Sequence, residues 1–115
     1  MSAECLFCKM VAGVIPPNKV YEDTEVLAFK DINPQAPVHV LVIPKRHIAT
    51  TNDLTDADAA IIGKLILVGK KIAAQLGVAE SGYRLVNNTN ADAGQSVSHV
   101  HVHLLGGRRM QWPPG

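Results

Sequence analysis

The sequence predicts an α+β fold: a five-stranded antiparallel sheet, one long helix packed on it and a short N-terminal helix. Two observations predict this class. Apolar segments of strand length recur along the chain, and one longer segment in the middle repeats its apolar residues with the period of a helix. Turn residues separate these segments, and no repeat, low-complexity tract or linker divides the 115 residues. We therefore expect one domain over residues 1–115.

The first half of the chain predicts one short helix and three strands. The helix covers residues 5–12 and ends at a glycine, and strands over 20–22 and 25–30 flank a polar turn as in a hairpin. Residues 31–37 form a loop that contains two prolines. The segment 38–43 is apolar except for one histidine, which predicts a strand covered on both faces.

The long helix is predicted over residues 55–76. Its first residue and Asp58 have the spacing of a capping box, and Gly77 suits the position that follows a helix C-terminus. Gly63 and Gly69 lower helix propensity, so we expect them to mark the close approach of another element, such as the same helix of a second subunit. The predicted apolar face comprises Ile61, Ile62, Leu65, Ile66, Ile72, Ala73 and Leu76.

Two more strands are predicted, over residues 83–88 and 96–105, with a polar turn between them. The second contains His99, His101 and His103 at alternate positions, which in a strand places all three imidazoles on one face, about 6.5–7 Å apart. Such a row is typical of a metal site or of a site for proton transfer and nucleophilic attack. The alternative, half-buried histidines bonded to backbone carbonyls, is less favoured because each imidazole needs its own partner.

Composition limits the classes of function. Hydrophobic residues make up 47% of the chain, charged residues 18%, and the formal net charge is +1, which indicates a globular protein without a basic surface for nucleic acid. The apolar runs are shorter than a membrane span, and no basic region followed by an apolar stretch opens the chain. A cytoplasmic location is expected.

Cys5 and Cys8 are separated by two residues. A disulfide so short would stabilise little, and a redox pair is expected where a strand leads into a helix, which this N-terminus does not supply. The same spacing is typical of the first half of a zinc site. Two small buried apolar side chains remain the structural alternative.

The segment His99-Val100-His101-Val102-His103-Leu104-Leu105 matches every position of the motif of histidine triad (HIT) proteins, His-φ-His-φ-His-φ-φ with φ apolar. The segments 31–37, 94–97 and 106–115 also resemble the branch of purine nucleoside phosphoramidases, so the likeness covers nearly the full length. The resemblance implies a HIT-like fold that pairs into a ten-stranded sheet in a homodimer.

The resemblance also implies a reaction. His101 would attack the α-phosphorus of a purine nucleoside 5′-phosphoramidate, and water would then release the nucleoside monophosphate from the nucleotidyl-histidine. The implied groups that orient His101 and hold the phosphoryl oxygens are His39, His103, Ser96 and the backbone amides of Gly94, Gln95 and Ser96. Ser96 is also implied as the proton donor for the leaving amine. The resemblance implies that catalysis requires no cofactor.

The same resemblance implies a nucleoside pocket. Phe7, Phe29 and Ile32 would contact the nucleoside, and Asp31 would accept hydrogen bonds from the ribose hydroxyls. Asn87 would lie near the phosphate, and Trp112, in the tail of one subunit, near the pocket of its partner. From the residues alone, Asp31 is also expected to form an Asx turn, and the two phenylalanines are also expected as core.

A structural zinc site is the last implication. Some histidine triad proteins hold zinc with a set that matches Cys5, Cys8, His47 and His99 here, and two thiolates with two imidazoles suit tetrahedral Zn²⁺. Without zinc, the cysteines are expected as buried thiols and His47 as a surface residue. Three other functions stay open: a dinucleoside polyphosphate hydrolase, a zinc hydrolase with the metal in the triad, and a nucleotide-binding regulator with vestigial activity.

Overall fold

The computed structural model describes residues 4–115, which form three helices and five strands. Two single-turn 3₁₀ helices, Thr51–Asp53 and Asp56–Asp58, precede the long helix. In chain order the elements are α1 (Leu6–Val11), β1 (Lys19–Glu22), β2 (Val26–Lys30), β3 (Val38–Pro44), α2 (Ala59–Gln75), β4 (Tyr83–Val86), α3 (Asn90–Ala93) and β5 (Val102–Gly106).

The five strands form one antiparallel sheet in the order β1-β2-β3-β5-β4. β3 is the central strand and is buried over six of its seven residues, as its apolar sequence predicts. β3 pairs with β5 so that His39 lies opposite Leu105 and Leu41 opposite His103. His39 and His103 are therefore diagonal neighbours on one face of the sheet.

Both faces of the sheet are covered. The face that carries Val26, Val40 and Leu104 packs against α2, and this forms the larger core. The opposite face carries Phe29 and Leu41 and packs against α1. The α+β class is therefore confirmed, and the helix that brings the two cysteines lies on the same face as the histidine pair.

The C-terminal end of α2 is as predicted, but α2 begins at Ala59 and not at Thr55. The capping box of Thr55 and Asp58 is present, and it caps the 3₁₀ helix Asp56–Asp58 that precedes α2. The buried stripe of α2 is also narrower than predicted. The Asp58 carboxylate accepts hydrogen bonds from the Thr55 backbone N–H (2.8 Å) and hydroxyl (3.3 Å), and Gly77 has the left-handed φ of +77° that ends the helix. Ile66 and Leu76, expected on the apolar face, are 43% and 38% exposed. The stripe instead runs through the buried residues Leu65, Val68, Gly69, Ile72 and Ala73.

The two helix glycines differ. A Cβ added at Gly69 would lie 3.2 Å from Cδ2 of Leu85, so Gly69 marks the close approach of β4 to α2. Nothing lies within 4 Å of a Cβ added at Gly63 among the described residues. The expected close approach is therefore correct for Gly69 within one chain, and Gly63 has no such neighbour there.

The prediction of one strand over residues 96–105 is wrong. β5 begins only at Val102, and His99 and His101 lie in the irregular segment before it. The backbone N–H of Val100 donates to the Ile48 carbonyl (2.6 Å), which lies outside the sheet, and the imidazole of His99 bonds to the Pro44 carbonyl at the end of β3. Because these groups bond elsewhere, the ladder between β3 and β5 cannot extend further.

β4 is also shorter than predicted, since it ends at Val86, and the polar turn that follows contains α3. β1 and β4 are the two edge strands of the sheet. Among the described residues, no helix has both the length and the apolar character needed to cross a membrane.

Candidate active site and metal cluster

His101 is buried, and hydrogen bonds fix both its ring and its backbone carbonyl. Its Nδ1–H donates to the backbone carbonyl of His99 (2.7 Å), and Asn87 Nδ2 donates to the carbonyl of His101 (3.0 Å). A carbonyl oxygen only accepts hydrogen bonds, so Nδ1 carries the proton and Nε2 carries the lone pair. Burial lowers the pKa of His101 below 6.5, and the ring is therefore neutral near pH 7. A neutral imidazole with a free lone pair is a nucleophile.

His39 and His103 form a hydrogen-bonded pair behind His101. The backbone N–H of Gln35 donates to His39 Nδ1 (3.0 Å), and His39 Nε2 lies 2.9 Å from His103 Nδ1. Desolvation by burial lowers the pKa of both rings, that of His103 to about 4, with the neighbouring histidines adding to the shift of His103. The ring of His103 also packs on that of His101, with 4.9 Å between centroids.

Asp31 has two contacts in the loop that precedes β3. One carboxylate oxygen accepts from the backbone N–H of Asn33 (2.8 Å), which is the Asx turn expected from the sequence. The other oxygen lies 3.5 Å from His39 Nε2. Desolvation lowers the pKa of His39 and the Asp31 charge raises it, and the effect of desolvation is the larger. The side chain also lines the cavity described next.

A cavity of about 150 Å³ opens beside His101. Of the residues predicted for the site, the structure places seven on its wall: Phe7, Phe29, Asp31, Ile32, Ser96, His101 and His103. Phe7 packs edge-to-face on Phe29 (5.3 Å between centroids) and on His101 (5.2 Å). Ile32 is 96% exposed and forms the rim. The wall is thus apolar on one side and carries imidazole, hydroxyl and carboxylate groups on the other.

Five further residues on this wall were not predicted: Leu6, Met10, Lys30, Leu41 and Val97. Two of them have a signal in the sequence. Leu6 and Met10 are four apart on a predicted helix and so share a face near Phe7. Leu41 could be placed only through strand register, because it lies directly opposite His103.

Other predicted site residues lie outside the wall. Asn87 supports the backbone of His101. Gly94, with a φ of +80°, ends α3. Gln95 uses its side chain to join the carbonyls of Ala49 (2.8 Å) and Val97 (3.0 Å), which positions the segment that contains Ser96. Trp112 is 83% exposed. His39 is buried behind His103.

The four residues predicted as zinc ligands lie together. Cys5, Cys8, His47 and His99 each offer one ligand atom, and these atoms all lie within 4.8 Å of one another. His99 Nδ1 is 3.4 Å from Cys5 Sγ, 3.6 Å from Cys8 Sγ and 3.2 Å from His47 Nδ1. Cys8 Sγ is 3.3 Å from His47 Nδ1. Neither cysteine is in a disulfide, and both are buried.

The geometry of this cluster fits a tetrahedral metal ion. With metal–sulfur and metal–nitrogen bonds of about 2.3 and 2.0 Å, nitrogen and sulfur ligands lie about 3.5 Å apart and two nitrogens about 3.3 Å apart. The four separations given above match these edges. His99 Nε2 bonds to the Pro44 carbonyl (2.8 Å), so Nε2 carries the proton and the Nδ1 lone pair points at the thiols.

A second cluster of possible ligands comprises Asp31, His39 and His103, of which Asp31 and His103 lie on the cavity wall. Within this cluster, His39 and His103 are hydrogen-bonded to each other, and the nitrogen of His39 in that bond carries a hydrogen. His39 Nδ1 is already an acceptor, so a neutral His39 carries its hydrogen on Nε2, the atom that faces the other two groups. A protonated nitrogen has no lone pair for a metal, and the four-residue cluster is the better metal site.

The HIT domain family matches residues 12–110 of the chain. The purine nucleoside phosphoramidase of Escherichia coli K12 is 50% identical over 108 residues, which cover 94% of this chain and 91% of that protein. An uncharacterized HIT-like protein of Synechocystis is 49% identical over 115 residues, the full length of both chains.

Solved structures of histidine triad proteins have the same fold as this chain. A HIT family hydrolase from Legionella pneumophila Philadelphia 1 superposes with a TM-score of 0.96 at 54% identity and covers 97% of this chain and 100% of its own. A histidine triad protein from Clostridium difficile gives a TM-score of 0.93 at 43% identity, with 96% of each chain covered. The chain therefore belongs to the HIT domain family, among its hydrolases.

Proposed function

We propose that the protein hydrolyses the P–N bond of purine nucleoside 5′-phosphoramidates through a nucleotidyl-His101 intermediate. One observation carries the proposal: the hydrogen bond from His101 Nδ1–H to the His99 carbonyl leaves a neutral Nε2 lone pair at the cavity. The 50% identity to a protein named purine nucleoside phosphoramidase supports the substrate class.

The reaction has two displacements at phosphorus. His101 Nε2 attacks the α-phosphorus, the P–N bond to the amine breaks, and the leaving amine takes the proton of the Ser96 hydroxyl. A water molecule then attacks the same phosphorus and returns a proton to Ser96, the bond to His101 breaks, and nucleoside monophosphate leaves. The hydrogen on His103 Nε2 binds a phosphoryl oxygen where charge gathers, and backbone amides of residues 94–96 assist it.

The nucleoside lies against the apolar side of the cavity. Phe7 and Phe29 offer ring edges and faces to a purine, and Ile32 covers it at the rim. Asp31 accepts hydrogen bonds from the two ribose hydroxyls through the carboxylate oxygen that faces the cavity. Asn87 acts indirectly, by holding the His101 backbone.

We further propose that Cys5, Cys8, His47 and His99 bind one structural Zn²⁺. The support is the tetrahedral spacing of the ligand atoms and the tautomer of His99. When bound, the ion would join α1 to the end of β3 and contribute folding free energy. Catalysis does not use it, because His101 and His103 provide the nucleophile and the donor.

We also propose that the protein is a homodimer and is located in the cytoplasm. β4 is an edge strand whose outer side pairs with no strand of residues 4–115, and α2 beside it exposes Leu67 (58%) and Ile66 (43%). Pairing two copies across β4 would form a ten-stranded sheet and bring each exposed Trp112 towards the partner's cavity. Light scattering at micromolar concentration should give twice the chain mass; a monomer there would contradict the dimer.

The decisive experiment compares substrates and one variant. Wild type should hydrolyse adenosine 5′-phosphoramidate faster than diadenosine polyphosphates, and His101→Ala should lose at least about 10³-fold in turnover while it still binds AMP. Rapid-quench mass spectrometry should find the added nucleotidyl mass on His101. Full activity of His101→Ala would reject the nucleophile. Faster cleavage of diadenosine polyphosphates would indicate the other hydrolase, and AMP binding without turnover a regulator.

A further inference from the structure

A series of hydrogen bonds connects the C-terminal segment to the cavity. Arg108 Nε–H donates to the Gln35 carbonyl (2.9 Å), the Gln35 backbone N–H donates to His39 Nδ1 (3.0 Å), and His39 Nε2 lies 2.9 Å from His103 Nδ1. We propose that the Gln35 peptide and Arg108 are positioning groups that set the tautomers of His39 and His103, so that His103 presents a hydrogen and not a lone pair to the phosphoryl group. This inference rests on the proposed function.

The direction of each bond follows from the first donor. A backbone N–H can only donate, so His39 Nδ1 must accept and the hydrogen of neutral His39 must lie on Nε2. That Nε2–H then donates to His103 Nδ1, which leaves the hydrogen of neutral His103 on Nε2. His103 lines the cavity, and its Nδ1 is occupied. Its Nε2–H is therefore the group available to a substrate.

The Gln35 peptide is placed by the segment after β5. Gly107 has a φ of +87°, and a Cβ added there would lie 2.9 Å from the Cβ of Pro37. The chain thus turns against the loop that contains Gln35, and only glycine permits so close a contact. The next residue, Arg108, bonds to the Gln35 carbonyl through a charged guanidinium, and this aims the peptide N–H of the same loop at His39.

Without the Gln35 N–H, both tautomers of His39 become available. If His39 carried its hydrogen on Nδ1, its Nε2 would accept from His103 Nδ1, and His103 Nε2 would then hold a lone pair. A lone pair facing phosphoryl oxygens repels them, whereas an N–H stabilises the charge that develops there. One peptide N–H outside the cavity therefore determines whether His103 assists or opposes the reaction.

The test deletes that N–H alone. Gln35→Pro removes the donor, whereas Gln35→Ala keeps it and serves as the matched control. Nitrogen NMR of histidine-labelled, substrate-free protein near pH 7 reports each tautomer directly. We expect Nε2–H for His39 and His103 in wild type and in Gln35→Ala, and mixed or inverted tautomers in Gln35→Pro. The proline variant should also turn over about 100-fold more slowly than the alanine variant, in kcat more than in KM.

Arg108 provides a second test that does not depend on how Gln35→Pro folds. Arg108→Ala should shift part of the His39 population to the other tautomer and lower kcat about 3- to 10-fold, as expected for one hydrogen bond. Arg108→Lys should restore much of the wild-type tautomer population and of kcat. Arg109→Ala, which removes a neighbouring charge, should leave the tautomers unchanged.

Unchanged tautomers in Gln35→Pro and Arg108→Ala, or an Nδ1–H tautomer of His39 in wild type, would overturn the inference. Because the NMR measurement needs no substrate, it separates this failure from that of the proposed function, in which wild type does not hydrolyse phosphoramidates.

Discussion

The Nδ1–H of His101 donates a 2.7 Å hydrogen bond to the backbone carbonyl of His99. The side chain of His99 meanwhile turns towards the two thiols, with Nδ1 3.4 Å from Cys5 Sγ. One residue thus contributes its ring to the candidate metal cluster and its carbonyl to the orientation of His101, the proposed nucleophile. The two sites are adjacent in sequence, yet their functional atoms do not compete.

Removal of metal should cost stability more than activity. A chelator should lower the melting temperature of the wild type by at least about 5 °C, because the binding free energy of a structural ion is folding free energy. Cys8→Ser should lower it similarly, whereas Ser98→Ala, at an exposed position next to the cluster, should not. Turnover of chelated but folded protein should stay within several-fold of wild type.

Two results would contradict the structural role of zinc. Elemental analysis that finds only a small fraction of zinc per chain would reject the site. Immediate loss of activity from folded protein, with little effect of Cys8→Ser, would indicate a catalytic metal.

Stability should fall in mild acid. His103 has a pKa of about 4 in the folded protein and 6.5 as its ordinary value, so the unfolded chain binds more protons between these pH values. Its contribution, about 3 kcal/mol, is complete above pH 6.5 and is lost as the pH falls through 4. Urea unfolding of metal-free protein at several pH values should show this slope, and His103→Gln should reduce it, while the lowered pKa values of His39 and His101 maintain the remainder. An equal slope in both proteins would contradict the assignment.

The two glycines of α2 should respond differently to alanine. Gly63→Ala should raise the free energy of unfolding by about 0.5–1 kcal/mol, because helix propensity improves and no residue of 4–115 lies within 4 Å of the new methyl group. Gly69→Ala should gain less, since its Cβ would lie 3.2 Å from Leu85. In a Leu85→Val background, Gly63→Ala and Gly69→Ala should raise the free energy of unfolding by more similar amounts. Equal gains in the unmodified background would show that Leu85 does not constrain Gly69.

Asp31 should distinguish ribose from deoxyribose. Wild type should bind AMP about 10- to 100-fold more tightly than 2′-deoxy-AMP, because a charged hydrogen bond is lost with the hydroxyl. Asp31→Asn retains an oxygen for the Asx turn and removes the charge, so it should bind both nucleotides weakly and about equally. Calorimetry measures all four affinities. A preference that survives in Asp31→Asn would place the ribose elsewhere.

Local patterns were enough to predict most of the fold. The apolar segment of β3 and the glycine after α2 led to the correct elements, because burial and a left-handed φ leave clear signatures in residue type. The grouping of Cys5 with His47 and His99 came through family resemblance, and the structure places their ligand atoms together.

The histidine segment shows where local patterns fail. Alternating residues predict a strand, but the bonds that stop β5 at Val102 are made to Ile48 and Pro44, which are distant in sequence. The bond from Gln35 to His39 is likewise invisible in residue types, because its donor is a backbone N–H. Site geometry that depends on backbone groups of loops could not be predicted from the sequence.

α1 has only six residues, and helices this short do not persist in water on their own. Cys5 and Cys8 hold one side of α1 at the cluster, while Phe7 and Met10 on another side line the cavity. The proposed metal would therefore stiffen the cavity wall that α1 forms, through four side chains that do not line the cavity. A variant without the two cysteines would keep His101 in place but would need another anchor for α1 before this wall regained its shape.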